Sequence, residues 1–502
     1  MYRLSHGPLL AALILPNMPW ADTAPNVIPR TADESARIAA VTAPTSDFSA
    51  PEKFESNPAG AASVPVRKNS DAFSDPSANI SFADQLNFRL GNALFRKLWV
   101  SSPSSTLASD GLGPLYNARS CQRCHLKDGR GHPPANNDDR AVSLVLALAR
   151  PDPHPDTSDI TGYLATLPDP TYGAQFQDLA APGHAAEGRF EITTTDYPIT
   201  FADGTEITLQ RPEYHLHDLA YGPMHPQTIA APRIAPQMIG LGLLEAIDPT
   251  DIIAHADPDD ADGDGISGRA NMVYSGALGQ TALGRFGLKA TSASVLDQSA
   301  AAFSNDIGIS SPLHPAGHGD CTPNQPACRA APNGNTPTHD NAEISAEALR
   351  LVTFYARNLG VPKRRRVDAP EVLQGKQIFY DSGCIACHRP KFVTQRLTHL
   401  PEQSFQLIWP YTDMLLHDMG PDLADGVSAA RATGREWRTP PLWGIGLTQQ
   451  VSGHTRFLHD GRARNLLEAI LWHGGEAETA KQQVLRLSKP QRDALIAFIE
   501  SL

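Results

Sequence analysis

The chain is poor in cysteine, with six in 502 residues. That is too few to staple a scaffold of this size, so the fold must rest on hydrophobic cores. No uninterrupted apolar run reaches the roughly 20 residues a bilayer requires, which excludes a bundle of spanning helices. Basic charge is in deficit: 42 Lys and Arg against 54 Asp and Glu leave a net charge of −12. Phosphate backbones need basic surface, so nucleic acid is excluded as the main partner. Tryptophan is missing between Trp99 and Trp409. What remains is an ordinary globular balance, 41% hydrophobic and 19% charged, with length for two or three domains. Proline and glycine crowd residues 126–340 and predict short helices and long loops there.

Residues 1–21 carry Arg3 and then an apolar run from Pro8 to Ile14. The run is too short to span a bilayer and has the form of a signal peptide, so the mature protein is expected in the periplasm. Residues 22–80 are rich in Pro, Ser, Ala and Asp and hold no lasting period. They read as a disordered or loosely packed arm. Next, Phe82, Leu86, Leu90, Leu94 and Leu98 form a helical stripe, interrupted at Gly91, where an ordered domain is expected to begin. Residues 345–359 read as a helix capped by Ser345 and stopped by Gly360 and Pro362. The basic run at 363–366 then reads as a solvated linker. It separates an N-terminal domain, 81–362, from a C-terminal domain, 370–502, which ends in a helix capped by Ser488.

Four of the six cysteines stand in two copies of one pattern: Cys121-Gln122-Arg123-Cys124-His125 and Cys384-Ile385-Ala386-Cys387-His388. C-x-x-C-H is the attachment pattern of c-type haem, and random order would give only about 0.003 such motifs in a chain of this composition. Two thiols three residues apart lie on one side of a helical turn. Each can add to a porphyrin vinyl group while the next His reaches the iron. The alternatives are a redox dithiol and a zinc site, and zinc would need four ligands brought to one place. The expected cofactors are two covalently bound haem c groups, with His125 and His388 as axial ligands. Cys321 and Cys328 are left to pair as a disulfide in an oxidising compartment. Candidates for the other ligand of the second iron are Met414, Met419, His417, His454, His459 and His473.

Several phrases carry a family resemblance. GKQIFYDSGCIACH (375–388) resembles the opening of a class I cytochrome c domain, where Gly375 lets the C-terminal helix cross closely. GPLYNARSCQRCH (113–125), APQMIGLGLLEAI (235–247), PYTDMLLHDMG (410–420), RTPPLWGIGL (438–447) and FLHDGRARNLLEAILWHGG (457–475) are similar to the bacterial di-haem cytochrome c peroxidase superfamily. The match is closest to its di-haem oxidoreductase branch and covers roughly residues 82–502. The resemblance implies a mainly α fold: two cytochrome c-like haem domains with long loops and little sheet. It implies an enzyme that passes electrons from a low-spin C-terminal haem to an N-terminal haem that reacts with peroxide or another oxidant. A small redox protein, such as a mono-haem cytochrome, would be the electron partner. Aligning LLEAILWH with the family's ligand helix puts His473 on the second iron. Gln175 and Glu187 take the places of the distal acid/base pair. An electron carrier without substrate chemistry, or an oxidant of a protein or organic substrate, are the alternative functions. The family's inter-haem Trp has no counterpart here.

Asp260, Asp262 and Asp264 precede Gly265 in the D-x-D-x-D-G form of a calcium loop. The twelfth position is Asn271 rather than a bidentate Glu, and Asp257 or Asp259 is the expected substitute.

Overall fold

The computed structural model describes residues 27–136, 139, 142–152, 160–164 and 166–502. The expected signal peptide, 1–21, lies outside the described residues. No helix among those described is long and apolar enough to cross a membrane.

The mainly α expectation is corrected. The fold is 28% helical and 19% strand, with many small sheets. The helices that matter below are α1 (Ala32–Thr42), α2 (Asp84–Arg96), α3 (Val295–Asp306), α4 (Ala346–Arg357), α5 (Pro370–Asp381), α6 (Leu466–Leu471) and α7 (Lys489–Ser501). The strands are β1 (Leu144–Pro151), β2 (Arg189–Thr200), β3 (Glu206–His217), β4 (Ile229–Ile234), β5 (Leu416–Asp418) and β6 (Glu436–Arg438).

Much of the unexpected strand is one hairpin. β2 and β3 pair antiparallel over twelve residues each, from Arg189 opposite His217 to Thr200 opposite Glu206. Their Thr, Ile and Tyr residues favour pleated backbone, and Gly204, at φ 82°, closes the turn. The tip reaches into the C-terminal half. Phe201 and Leu209 are buried in the cluster that holds Phe379, Trp472 and Phe498. Tyr197 stacks on Trp472 at 5.8 Å between centroids, and Asp203 pairs with Arg492 at 2.9 Å.

A second correction concerns α2. Its buried face is Phe88, Gly91 and Phe95, not the five-residue apolar stripe. A Cβ on Gly91 would overlap the Leu351 carbonyl of α4, so glycine sets the line of closest approach and turns the leucines outward. Gly375 plays the same part where α5 crosses α7, against the Ala494 carbonyl.

The described part of the segment read as a loose arm packs on the body: Val27 and Ile28 pair with Leu397 and Arg396, Arg30 pairs with Asp251 at 2.8 Å, and Phe48 meets Tyr380. Ala59, Ala62 and Phe73 join the first core, and the Val64 N–H donates to the Val361 carbonyl at 2.9 Å. Small alanines bury little area each, so the sequence gives no periodic signal of this. The basic run is not simply solvated either. Arg364 is buried against Glu55, which also takes Lys376 at 2.9 Å. Attraction to the two cations outweighs burial and holds the Glu55 carboxyl below its usual range.

Candidate functional site

The first motif forms a one-turn helix, Cys121–Cys124, after Trp99 and α2. The His125 N–H bonds the Cys121 carbonyl at 3.0 Å, which places the imidazole directly after the two thiols. Its Nδ1 lies 2.7 Å from the Pro236 carbonyl. A carbonyl can only accept, so Nδ1 carries the hydrogen and Nε2 of the neutral ring is a bare lone pair. Burial lowers His125 to about 4 and keeps it neutral. The ring packs 6.2 Å from Phe95.

The second motif is a single tight turn, Cys384–Ala386, entered through Gly383 at φ 82°. His388 repeats the first arrangement. Its N–H bonds the Cys384 carbonyl at 3.0 Å, and Nδ1 donates to the Tyr411 carbonyl at 3.0 Å. Burial lowers it to about 4, and His473 stands near enough for its charge to push in the same direction. His473 follows α6, whose N-terminus is capped by Asn465, and its Nδ1 donates to the Ala469 carbonyl at 2.7 Å. The structure thus brings His388 and His473 together, each with a fixed tautomer and an unbonded Nε2. Such an Nδ1 anchor is what orients a metal-ligating imidazole.

His417 and His454 have both ring nitrogens engaged. His417 donates from Nε2 to Asp413 at 2.7 Å and from Nδ1 to Glu476 at 2.6 Å. Although burial opposes it, this flanking pair of carboxylates raises His417 well above its usual range and holds it as imidazolium. Its Nδ1 is 3.6 Å from Cys387 Sγ. His454 uses both nitrogens, accepting from the Arg456 N–H at 3.1 Å and donating to the Arg130 carbonyl at 3.0 Å. His459 stacks on Trp437 at 3.9 Å, and its buried Nε2 has no hydrogen-bond partner among the described residues. Met414 Sδ lies 3.9 Å from Arg438 Nη1.

The motif thiols differ from the other cysteines in pairing. Cys121, Cys124, Cys384 and Cys387 are unlinked, whereas Cys321 and Cys328 are joined as a disulfide. Burial raises Cys121 and Cys384 to about 12, so both are protonated thiols in the unliganded site. The donor sets, two thiols and one bare Nε2 at each motif, fit covalent haem.

Around the first motif lies a group of buried carboxyls. Asp306, at the end of α3, is close enough to act on both Cys121 and Cys124. Burial raises Asp306 to about 6. Gln175 donates to its carboxylate at 2.8 Å and to Asn117 at 2.7 Å, so Gln175 does stand beside the motif. Glu187 is one step removed. It accepts from the Gln177 N–H and from Gln325 Nε2, both at 2.6 Å, and burial raises it to about 8. A cavity of about 350 Å³ opens beside Cys124, lined also by Arg123, Arg130 and His132. His132 donates from Nδ1 to the Pro133 carbonyl at 2.8 Å, which leaves its Nε2 free. Sequence reasoning missed Asp306 and the Asp413–His417–Glu476 cluster. Neither has a local motif, and only the tertiary fold brings them to the cysteines.

The acidic loop is rearranged relative to expectation. Asp257, Asp260 and Asp262 gather their carboxylates within 4.8 Å, while Asp264 is outside that group and caps the Ile266 N–H at 2.8 Å.

Two C-x-x-C-H turns, each with an anchored imidazole, stand in one chain. Residues 55–502 match the family described as "Di-haem oxidoreductase, putative peroxidase", and the chain belongs to that family of enzymes. No curated protein matches the chain. Among solved structures, a chain of hydrazine synthase from Kuenenia stuttgartiensis, studied under xenon pressure, is similar at 16% identity with a TM-score of 0.21. The match covers 38% of this chain and 65% of that one.

Proposed function

We propose that the protein is an exported c-type di-haem oxidoreductase that reduces peroxide or a related small oxidant with electrons from a small redox protein. The observation that carries this reading is the shared geometry of His125, His388 and His473: each Nδ1 is tied to a backbone carbonyl and each Nε2 is left bare. Cys121 and Cys124 with His125 would hold one haem, and Cys384 and Cys387 with His388 the other. Bound haem would supply one-electron redox chemistry at each place and, where an axial position is open, a site for oxidant. His473 completes the second set, closing it to substrate. The first set has no such partner assigned. Beside it lies the cavity lined by His132, and farther off, behind Gln177, lies Glu187. His132 Nε2 can take a proton from an oxidant in the adjoining cavity, and Glu187, raised to about 8, holds one at neutral pH. Reduction of one peroxide to two waters consumes two electrons and two protons, so a store of each near one centre suits the task.

The pyridine haemochrome spectrum of the denatured, exported protein tests the cofactor reading. Two covalently retained haems per chain are expected. None, or haem lost on denaturation, contradicts it.

A further inference from the structure

The Cys321–Cys328 disulfide joins residues seven apart and closes a small ring. Both residues are buried, packed with Leu115, Ala180 and Tyr221. The ring docks on the stretch of chain that carries Gln175. Thr322 Oγ1 donates to the Thr171 carbonyl at 2.8 Å, and Asn324 Nδ2 donates to the Pro170 carbonyl at 3.0 Å. Just before the ring, the Asp320 carboxyl accepts from the Ala174 and Gln175 N–H groups at 2.6 and 3.0 Å.

Inside the ring one side chain is aimed at a carboxyl. Gln325 is fully buried, and its neighbours fix which way its amide points. The Thr322 N–H can only donate, so Gln325 Oε1 faces it at 2.9 Å and Nε2 faces Glu187 Oε1 at 2.6 Å. The other Glu187 oxygen accepts from the Gln177 N–H at 2.6 Å. That second donor comes from nearby chain, and the Glu187 N–H in turn bonds the Gln177 carbonyl at 3.0 Å. Gln325 lies 138 residues away in sequence and reaches Glu187 because the ring is docked where it is.

A neutral amide is the partner a movable proton needs. At Glu55 two cations outweigh burial and hold the carboxyl below its usual range. At Glu187 burial outweighs the two neutral donors and raises the carboxyl to about 8, while both donors still favour the charged form. The other titratable groups facing it are Asp320 and Asp169, whose charges push it further up, and Tyr172 and Tyr221, which burial keeps protonated.

We propose that Gln325, held by the Cys321–Cys328 ring, is the positioning residue of Glu187: it fixes where the carboxyl stands and how tightly the carboxyl keeps its proton. The disulfide then supports the surroundings of the first centre as well as the fold. The consequence for turnover rests on the proposed function, whereas the positioning is read without turnover.

Denaturant titrations of the full, haem-loaded chain between about pH 4 and about pH 10 read it. At each pH the stability of Glu187→Gln is subtracted from that of its parent, which isolates Glu187 from Asp320 and Asp169. With Gln325 present, the contribution of Glu187 is expected to disappear as pH climbs to about 8. Gln325→Met keeps the shape and removes the donor, so the folded carboxyl holds its proton more tightly. In that background the loss should extend about one pH unit higher, and the high-pH limb of peroxide turnover should move with it. Cys321→Ala with Cys328→Ala should move both in the same direction. A merely structural role lowers stability equally at every pH and leaves the end of the window in place; that result in Gln325→Met overturns the proposal, and so does a move to lower pH. Movement in Gln325→Met with none in the cysteine pair overturns the part assigned to the ring. A window that moves as expected in a protein that turns over no peroxide supports the positioning and contradicts the proposed function.

Discussion

The two haem-attachment centres share a motif and differ in what surrounds it. At the second, protons are locked in place. His417 is fixed as imidazolium between Asp413 and Glu476, and His473 is near enough to act electrostatically on His388. At the first, the neighbours are buried acids poised near neutral pH, Asp306 at about 6 and Glu187 at about 8, beside a cavity with a free imidazole nitrogen. A centre that only stores an electron gains from fixed charge, while one that breaks an O–O bond needs protons that can move. On the proposed function the same five-residue motif would serve two roles, set by its tertiary neighbours.

The strongest way to break the comparison is to remove one centre. Cys384→Ser with Cys387→Ser should halve covalent haem, measured by pyridine haemochrome, while the first centre still changes its spectrum on adding cyanide. Loss of both haems would show that the centres are not independent.

Glu187→Gln sharpens the proton side. Peroxide turnover should fall about 100-fold in kcat, and the loss of activity that the parent shows as pH rises through 8 should vanish. An unchanged pH profile would remove Glu187 from proton delivery. The same group makes a stability prediction. Folding raises it from 4.5 to about 8, so the folded state holds the proton more tightly than the unfolded chain. That contribution is present below pH 4.5 and is lost as pH climbs to about 8. Denaturant titrations of Glu187→Gln should therefore show a flatter pH dependence across that window.

At the second centre, His417→Ala strands the buried Asp413 carboxylate without its partner. It should cost about 3 kcal/mol in chemical denaturation, and Asp413→Asn combined with it should restore part of the loss. No recovery would mean that packing rather than charge is what His417 supplies.

The family was legible because the C-x-x-C-H pattern fixes residue type and spacing locally. The Cys321–Cys328 disulfide, the Ser345 cap of α4 and the close approach at Gly375 were legible for the same reason: each depends on a few neighbouring residues. The face of α2 was not. Its leucines make the stronger stripe, but Gly91 alone allows α4 to come close, and a glycine has no weight in a hydrophobic pattern. The β2–β3 hairpin was missed although its Thr- and Ile-rich strands flank an Asp-Gly turn, because the resemblance to helical cytochromes set a mainly α expectation. Asp306 could not be read at all. Its importance comes from proximity to Cys121 and Cys124, which only the folded chain creates.

Low-temperature EPR of the as-isolated protein and of His473→Ala, each with and without cyanide, tests the difference between the centres most directly. The account predicts one low-spin bis-histidine signal that disappears in His473→Ala, and a second signal that shifts with cyanide in both proteins. Two low-spin signals that ignore both the substitution and the ligand would contradict it.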